Sequence, residues 1–346
     1  MTLPGRLALS IALVLLAGCQ SNRQPPTDHV KRAAPAPIRR GDEIVVAGQL
    51  VPTGGARVVL WTDPGGYAAS AKNIGTRDQV LSDAEAATVR AAGGRWAPAL
   101  LREKVDQFVL HYDVAGTSRT CFRVLEGRGL SVHFMLDVDG TIYQTCDLQA
   151  RTFHATKSNP RSVGVEIANM GAYANPLPLK EWYGRGPDGR TVLTIPARLG
   201  DGGVRDRSAV LRPDRDDLVT GTVHGKTYRQ YDLTPQQYAA LARLTATLAT
   251  VFPRVTLDYP HGPDGKLVTT ALTDARFAAF TGVLGHFHVQ VGKQDPGPAM
   301  QWDRLIADAR RLMSPEAMRL NDAYRGRPVT VRPEKATGAK PATRPL

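Results

Sequence analysis

The stretch SVHFMLDVDGTIYQTCD, residues 131–147, decides the fold. Its apolar residues fall on either side of Asp139-Gly140, a pair favoured in hairpin turns, so it reads as two short strands folded back on one another near that pair. Upstream, VDQFVLH from Val105 to His111 reads as another strand. Between the two, Ser118 to Leu125 places Cys121, Val124 and Leu125 at helical spacing. Downstream, VGVEIAN from Val163 to Asn169 alternates as a strand, with Glu166 on one face and Val165 and Ile167 on the other. Helix starts flank this core. Ser82-Asp83-Ala84-Glu85 has the form of a capping box, and Thr234-Pro235-Gln236-Gln237 adds Pro at the first helical position, followed by an apolar face of Tyr238, Leu241, Leu244 and Leu248. VLGHFHV, Val283 to Val289, reads as a late strand, and Trp302 to Met313 as a final helix. The alternation predicts an α/β protein, α+β mixed in detail, with a central mixed sheet flanked by helices.

The ends of the chain have a different character. One basic residue, Arg6, precedes the apolar run Leu7 to Ala17, and small residues lead to Cys19, which is the layout of an export signal. The run is far shorter than the roughly 20 residues that a membrane-spanning helix needs. Leu16-Ala17-Gly18-Cys19 resembles the lipobox of bacterial lipoproteins. That likeness implies lipidation of Cys19, and Gln20 in place of an aspartate implies an outer-membrane anchor facing the periplasm. Residues 20–44, with PP, PAP and RR elements, read as a tether. Residues 326–346, rich in Pro, Lys and Arg, offer almost nothing to bury and read as a disordered tail. The body, 45–325, is long for one domain, and a polar, Gly-rich stretch at about 176–233 looks like an insertion within it.

Across 346 residues the formal net charge is +12, and 42% of residues are hydrophobic, enough for a sizeable core. Basic surfaces attract polyanions, but an exported chain meets little nucleic acid and no aromatic-basic RNA motif is present. Anionic envelope polymers and lipid head groups fit better as partners. With Cys19 assigned to lipid, Cys121 and Cys146 remain, either as one disulfide or as two buried thiols.

Three polar residues stand where strands give way to loops: His111, His286 and Asp295. Two imidazoles and a carboxylate can fill three of the four positions around zinc and leave the last for water, the pattern of a catalytic rather than a structural site. Spacing alone does not establish this, because a lone histidine on an apolar strand is more often a satisfied core residue.

FVLHYD, SVHFMLDVDGTIYQ, FHATKSNPRSVGVEIAN and GHFHVQVGKQDPGPAMQW, in that order, resemble the N-acetylmuramoyl-L-alanine amidase family. This is the superfamily of AmpD-type zinc amidases, phage amidase lysozymes and peptidoglycan recognition proteins. The resemblance implies an amidase-like fold with an insertion, Zn2+ as cofactor, and hydrolysis of the amide between N-acetylmuramic acid and L-alanine in peptidoglycan. By matching position it implies His111, His286 and Asp295 as zinc ligands, Lys293 as the oxyanion-stabilising lysine and Glu166 as the carboxylate that activates water. GHFH offers two imidazoles that on a strand would face the same side. The resemblance places the ligand at His286 and leaves His288 either behind the ligands or in the cleft; it matches His133 and His154 to substrate-cleft positions, with ordinary packing an equal alternative for both.

Two departures matter. Some relatives carry a tyrosine where this chain has Val132, which leaves the proton chemistry to Glu166, and Phe153 replaces a tryptophan. Two further functions compete with the enzyme: a non-catalytic peptidoglycan-binding lipoprotein, and a structural lipoprotein that grips the wall through basic charge. The presence of Asp295, Lys293 and Glu166 together argues against the first, and the second leaves the amidase motif unexplained.

Overall fold

The computed structural model describes residues 39–325. The expected signal segment with Cys19, most of the expected tether and the expected tail from 326 onward lie outside the described residues. No described helix is long and apolar enough to cross a membrane.

Six strands form the central sheet: β1 (Val58–Leu60), β2 (Gln107–Tyr112), β3 (Phe134–Leu136), β4 (Ile142–Gln144), β5 (Ser162–Ile167) and β6 (Gly282–Gly285). Their spatial order is β6-β2-β5-β3-β4-β1. All neighbours are parallel except β3 and β4, which form the antiparallel hairpin turning through Asp139-Gly140. The sheet is therefore mixed and flanked by helices, as the alternation of elements predicts. Parallel strands are covered on both faces, and every residue of β2 is buried accordingly.

The two faces are packed differently. Phe108, Leu110, Phe134, Leu136, Val163, Val165, Ile167 and Val283 point to one side and meet Tyr238, Leu241, Leu244 and Leu248 of the long helix Pro235–Val251. This helix begins as its sequence dictates. The Thr234 hydroxyl accepts from Gln237 N–H at 3.0 Å, and the Gln237 side chain accepts from Thr234 N–H at 2.9 Å. The same two side chains donate to Val138 O and Ala168 O, just past the ends of β3 and β5, and so fasten the helix to the sheet. On the opposite face, helix Ser118–Gly127 buries Cys121 and Leu125 against Val132, Met135 and Tyr143. Helix Asp274–Ala279 brings Phe277 against Val109 and Leu284.

Several expectations need correction. The late strand stops at Gly285, and His286–Val289 is a helical turn closed by the Gly285 N–H donating to His288 Nδ1 at 2.9 Å. The chain does not end with the helix Trp302–Leu312, because Ser314 caps a further one, Pro315–Asp322. The expected tether runs into structure, since Glu43–Val46 pairs with Gln49–Pro52 and Ile44 is fully buried. Of the two states left open for Cys121 and Cys146, the structure has buried free thiols, which is no correction.

The polar stretch 176–233 is a folded subdomain of two hairpins, Tyr183–Arg185 with Thr191–Leu193 and Val219–Val223 with Lys226–Gln230. Leu179, Trp182, Tyr183, Leu193, Val204 and Leu211 give it a small core shared with Val138 and Ala168. Trp182 lies against Gly116, whose φ of +73° and lack of room for a Cβ beside the indole both require glycine.

Replacing Leu244 with Ala in the helix that covers the sheet should lower unfolding free energy by about 2–5 kcal/mol. Urea denaturation with an unchanged slope would show it, and a loss below about 1 kcal/mol would mean that this helix does not close the core.

Candidate metal centre

The strand order places chemistry at the carboxyl ends of neighbouring parallel strands, where open α/β sheets usually bind ligands. His111 of β2 pairs directly with Glu166 of β5. Gly285, the last residue of β6, pairs with Leu110, so His286 emerges beside His111. The chain then loops and returns with Asp295, anchored by Phe287 N–H donating to Asp295 O at 3.1 Å.

The result is a tight triangle. His111 Nδ1 lies 3.0 Å from His286 Nδ1 and 2.8 Å from Asp295 Oδ2, and His286 Nδ1 lies 2.9 Å from the same oxygen. The three residues are 2%, 5% and 9% exposed, so bulk water competes little for them. Among the described residues they form the cluster of ligand atoms able to hold a metal ion. Two imidazole nitrogens and a carboxylate oxygen aimed at one point fit zinc, and with only three protein donors a position stays open. A central cation would engage all three lone pairs at once, which hydrogen bonds among three mutually facing acceptor-capable atoms do less well.

Electrostatics follow from burial. His111 is pushed down to about 4, first by burial and then by the neighbouring His286, against the opposing pull of Asp295. Burial alone would raise Asp295, but the two imidazoles overturn it and hold the carboxyl well below its usual range. Both groups are thus in the neutral-imidazole and carboxylate forms that bind metal. Glu166 is pushed well above the ordinary carboxylate range, first by burial and then by the charges of Asp295 and Asp113, with Lys293 and Arg128 pulling the other way. Its Oε2 is buried without a partner.

A cleft of about 320 Å³ opens over the triangle, lined also by Glu166, Lys293, His154, Tyr112, Arg128 and Phe153. The structure therefore brings together His111, His286, Asp295, Glu166, Lys293 and His154. It does not bring in His133 or His288. His133 is fully buried, with Nδ1 receiving the Thr152 hydroxyl and the Gly164 N–H, and its Nε2 is 3.0 Å from the guanidinium of Arg77. Burial and Arg77 push it down to about 3. His288 turns the other way, to Val268 O at 2.6 Å, because the helical turn removes the strand alternation that would have aligned it with His286.

Sequence reasoning missed the support of the loop after His111. The Asp113 carboxylate accepts from the N–H groups of Ala115, Gly116 and Asn169, and the D-V-A-G order is the available signal for such a turn. It also missed Arg77, fully buried and donating to the carbonyls of Leu148, Asn159, Pro160 and Ser162. Nothing in its local sequence marks it.

Comparison with known proteins identifies the family. The N-acetylmuramoyl-L-alanine amidase family model matches residues 101–298, more than half of the chain, and the chain belongs to that family. No curated protein sequence matches it significantly. Solved structures similar to it include an AmpD derivative, at 15% identity over 70% of this chain and 94% of that one, with a TM-score of 0.34. The N-acetylmuramyl-L-alanine amidase AmiD from E. coli, in complex with anhydro-N-acetylmuramic acid-L-Ala-D-γ-Glu-L-Lys, matches at 16% identity over 59% of this chain and 57% of AmiD, again with a TM-score of 0.34. The amidase LysC from Clostridium intestinale matches at 16% identity over 60% of this chain and 86% of that one, with a TM-score of 0.32. Scores this low carry no argument, and membership rests on the family match.

Asp137, at the end of β3, is fully buried with Oδ2 unpartnered, and burial together with Asp139 pushes it up to about 7. Its folded pKa thus lies above the unfolded value of about 3.9, so the stability it contributes is present below pH 4 and lost as pH rises through 7. Asp137→Asn should leave stability at pH 4 nearly unchanged and raise it at pH 8, as read by thermal melts at the two values. An equal effect at both would show that Asp137 does not titrate there.

Proposed function

We propose that this chain is a zinc-dependent amidase that hydrolyses the bond between N-acetylmuramic acid and L-alanine in peptidoglycan or its fragments. One observation carries the reading: in a chain of this family, two imidazoles and a carboxylate converge within 3.0 Å in a cleft also lined by Glu166 and Lys293. His111, His286 and Asp295 would hold the ion. When bound, zinc supplies Lewis-acid charge that acidifies water and polarises the scissile carbonyl.

The remaining chemistry belongs to the chain. Glu166, with one oxygen buried and unpartnered, takes the proton of the attacking water and returns it to the leaving alanine nitrogen, and burial that raises the carboxyl above its usual range helps it hold that proton between the two steps. The Lys293 ammonium faces the charge that develops on the carbonyl oxygen. Val132, buried against the helix Ser118–Gly127, leaves no tyrosine at that position to compete with Glu166. The full donor set and the two additional groups favour catalysis over binding alone.

The N-terminal segment supports a location. We place the mature protein in the periplasm, exported by the first 18 residues and held to the outer membrane through lipid on Cys19, with peptidoglycan in reach as substrate. Labelled palmitate should enter the wild-type chain and not Cys19→Ser, and equal labelling would remove the anchor.

The decisive experiment digests anhydro-N-acetylmuramic acid-L-Ala-D-γ-Glu-L-Lys with zinc-loaded protein and identifies products by mass. Free tripeptide is expected, with the rate lowered about 10²- to 10⁴-fold in Glu166→Gln and about 10²- to 10³-fold in Lys293→Ala. Intact muropeptide after incubation with wild type, under conditions where a reference amidase cuts it, would overturn the assignment.

A further inference from the structure

His154 reaches the centre from outside it. The segment Ala155–Ser158 leaves the chain in a tight turn, with the Asn159 carboxamide oxygen accepting from the N–H groups of both His154 and Ala155 at 3.1 and 2.7 Å. That turn brings the imidazole against β5. Ser162, Gly164 and Glu166 share this face of the strand, and the ring rests over Gly164, where a Cβ would sit 2.5 Å from His154 Nδ1. Only glycine leaves that space. From this seat His154 Nδ1 lies 3.0 Å from His111 Nε2, and His154 Nε2 lies 3.2 Å from the hydroxyl of the fully buried Ser162.

These contacts have one self-consistent proton arrangement once His111 gives its Nδ1 lone pair to an ion. A neutral imidazole carries a single ring proton, so that of His111 must sit on Nε2. It is then donated to His154 Nδ1. The proton of His154 is forced onto its own Nε2, where the Ser162 oxygen accepts it. Metal-binding histidines generally hold their orientation and tautomer through such a partner on the far nitrogen, most often a carboxylate or a carbonyl. Here a second imidazole fills that place.

We infer that His154, seated over Gly164 and backed by Ser162, is the positioning residue that fixes the ring orientation and Nδ1-donor tautomer of His111, and hence the zinc affinity of the centre. This rests on the proposal that His111 is a ligand through Nδ1. His154 contributes no donor atom to the ion. Its effect passes through His111, and Gly164 is a functional part of the centre because it makes the seat.

The test measures Zn2+ affinity of the full chain by competition with a chromophoric chelator, alongside thermal melts of the metal-free proteins. His154→Ala should weaken zinc binding by about 10- to 100-fold. His154→Asn, whose carboxamide oxygen can stand where Nδ1 stood, should recover most of that loss, while His154→Gln, of similar polarity but with its oxygen displaced, should not. Gly164→Ala should weaken binding although every titratable side chain is kept. If His154→Ala fails to fold, the comparison of Asn with Gln decides the matter. Equal affinity in wild type, His154→Asn and His154→Gln overturns the inference while leaving the metal assignment intact. A wild-type chain that binds no zinc removes the metal assignment itself, a separate and visible outcome.

Discussion

The parallel ladder joining β6, β2 and β5 is the constraint on which the rest of the centre depends. It pairs Leu110 with Gly285 and His111 with Glu166, so residues far apart in the chain arrive side by side. Side chains in a strand alternate between faces, and a one-residue slip in either pairing would send His111 or Glu166 into the layer occupied by the long helix. That layer is apolar on both sides, with Phe108, Leu110, Val163 and Val165 facing Leu241 and Leu244. The core thus enforces the register, and the register places the polar groups. The helix contributes directly, because Thr234 and Gln237 bind carbonyls at the ends of two strands.

Burial decides the charge states around the cleft. His111 and His154 are both disfavoured as cations, and Asp295 is favoured as an anion once burial is offset by the imidazoles. Glu166 sits within the same field with the opposite tendency. Two carboxylates lining one cleft are thereby driven in different directions, one toward permanent ionisation and one toward holding a proton. Such separation suits one group to binding and the other to proton transfer.

Much of this was legible in the sequence, for reasons that can be named. The strands around His111 and Glu166, the Asp139-Gly140 hairpin and the capped helix at Thr234 all announce themselves through local patterns, because local pattern is what determines them. His288 was not legible: an expected strand alternation aligned it with His286, whereas Gly285 ends the strand and a helical turn sends the two rings apart. For His133 the sequence left cleft and packing equally open, and it is a fully buried neighbour of Arg77, a contact between distant segments that no local spacing records. The stretch 176–233 reads as polar and Gly-rich because its stability comes from a small shared core and surface ion pairs such as Arg190 with Asp216. Its few apolar residues carry no periodicity.

That subdomain has a bearing on the centre through Gln230, at the end of its second hairpin. The Gln230 side chain donates to Pro296 O at 3.0 Å and to Asn169 Oδ1 at 3.2 Å, and accepts from Ala299 N–H at 3.0 Å. It thereby clamps the loop that carries Lys293 and Asp295 to the end of β5. Ordering a free backbone costs about 1–2 kcal/mol per residue. A loop already held in place would spare a bound group that entropic cost, so a segment that lends the cluster no ligand atom still bears on how firmly it is preorganised.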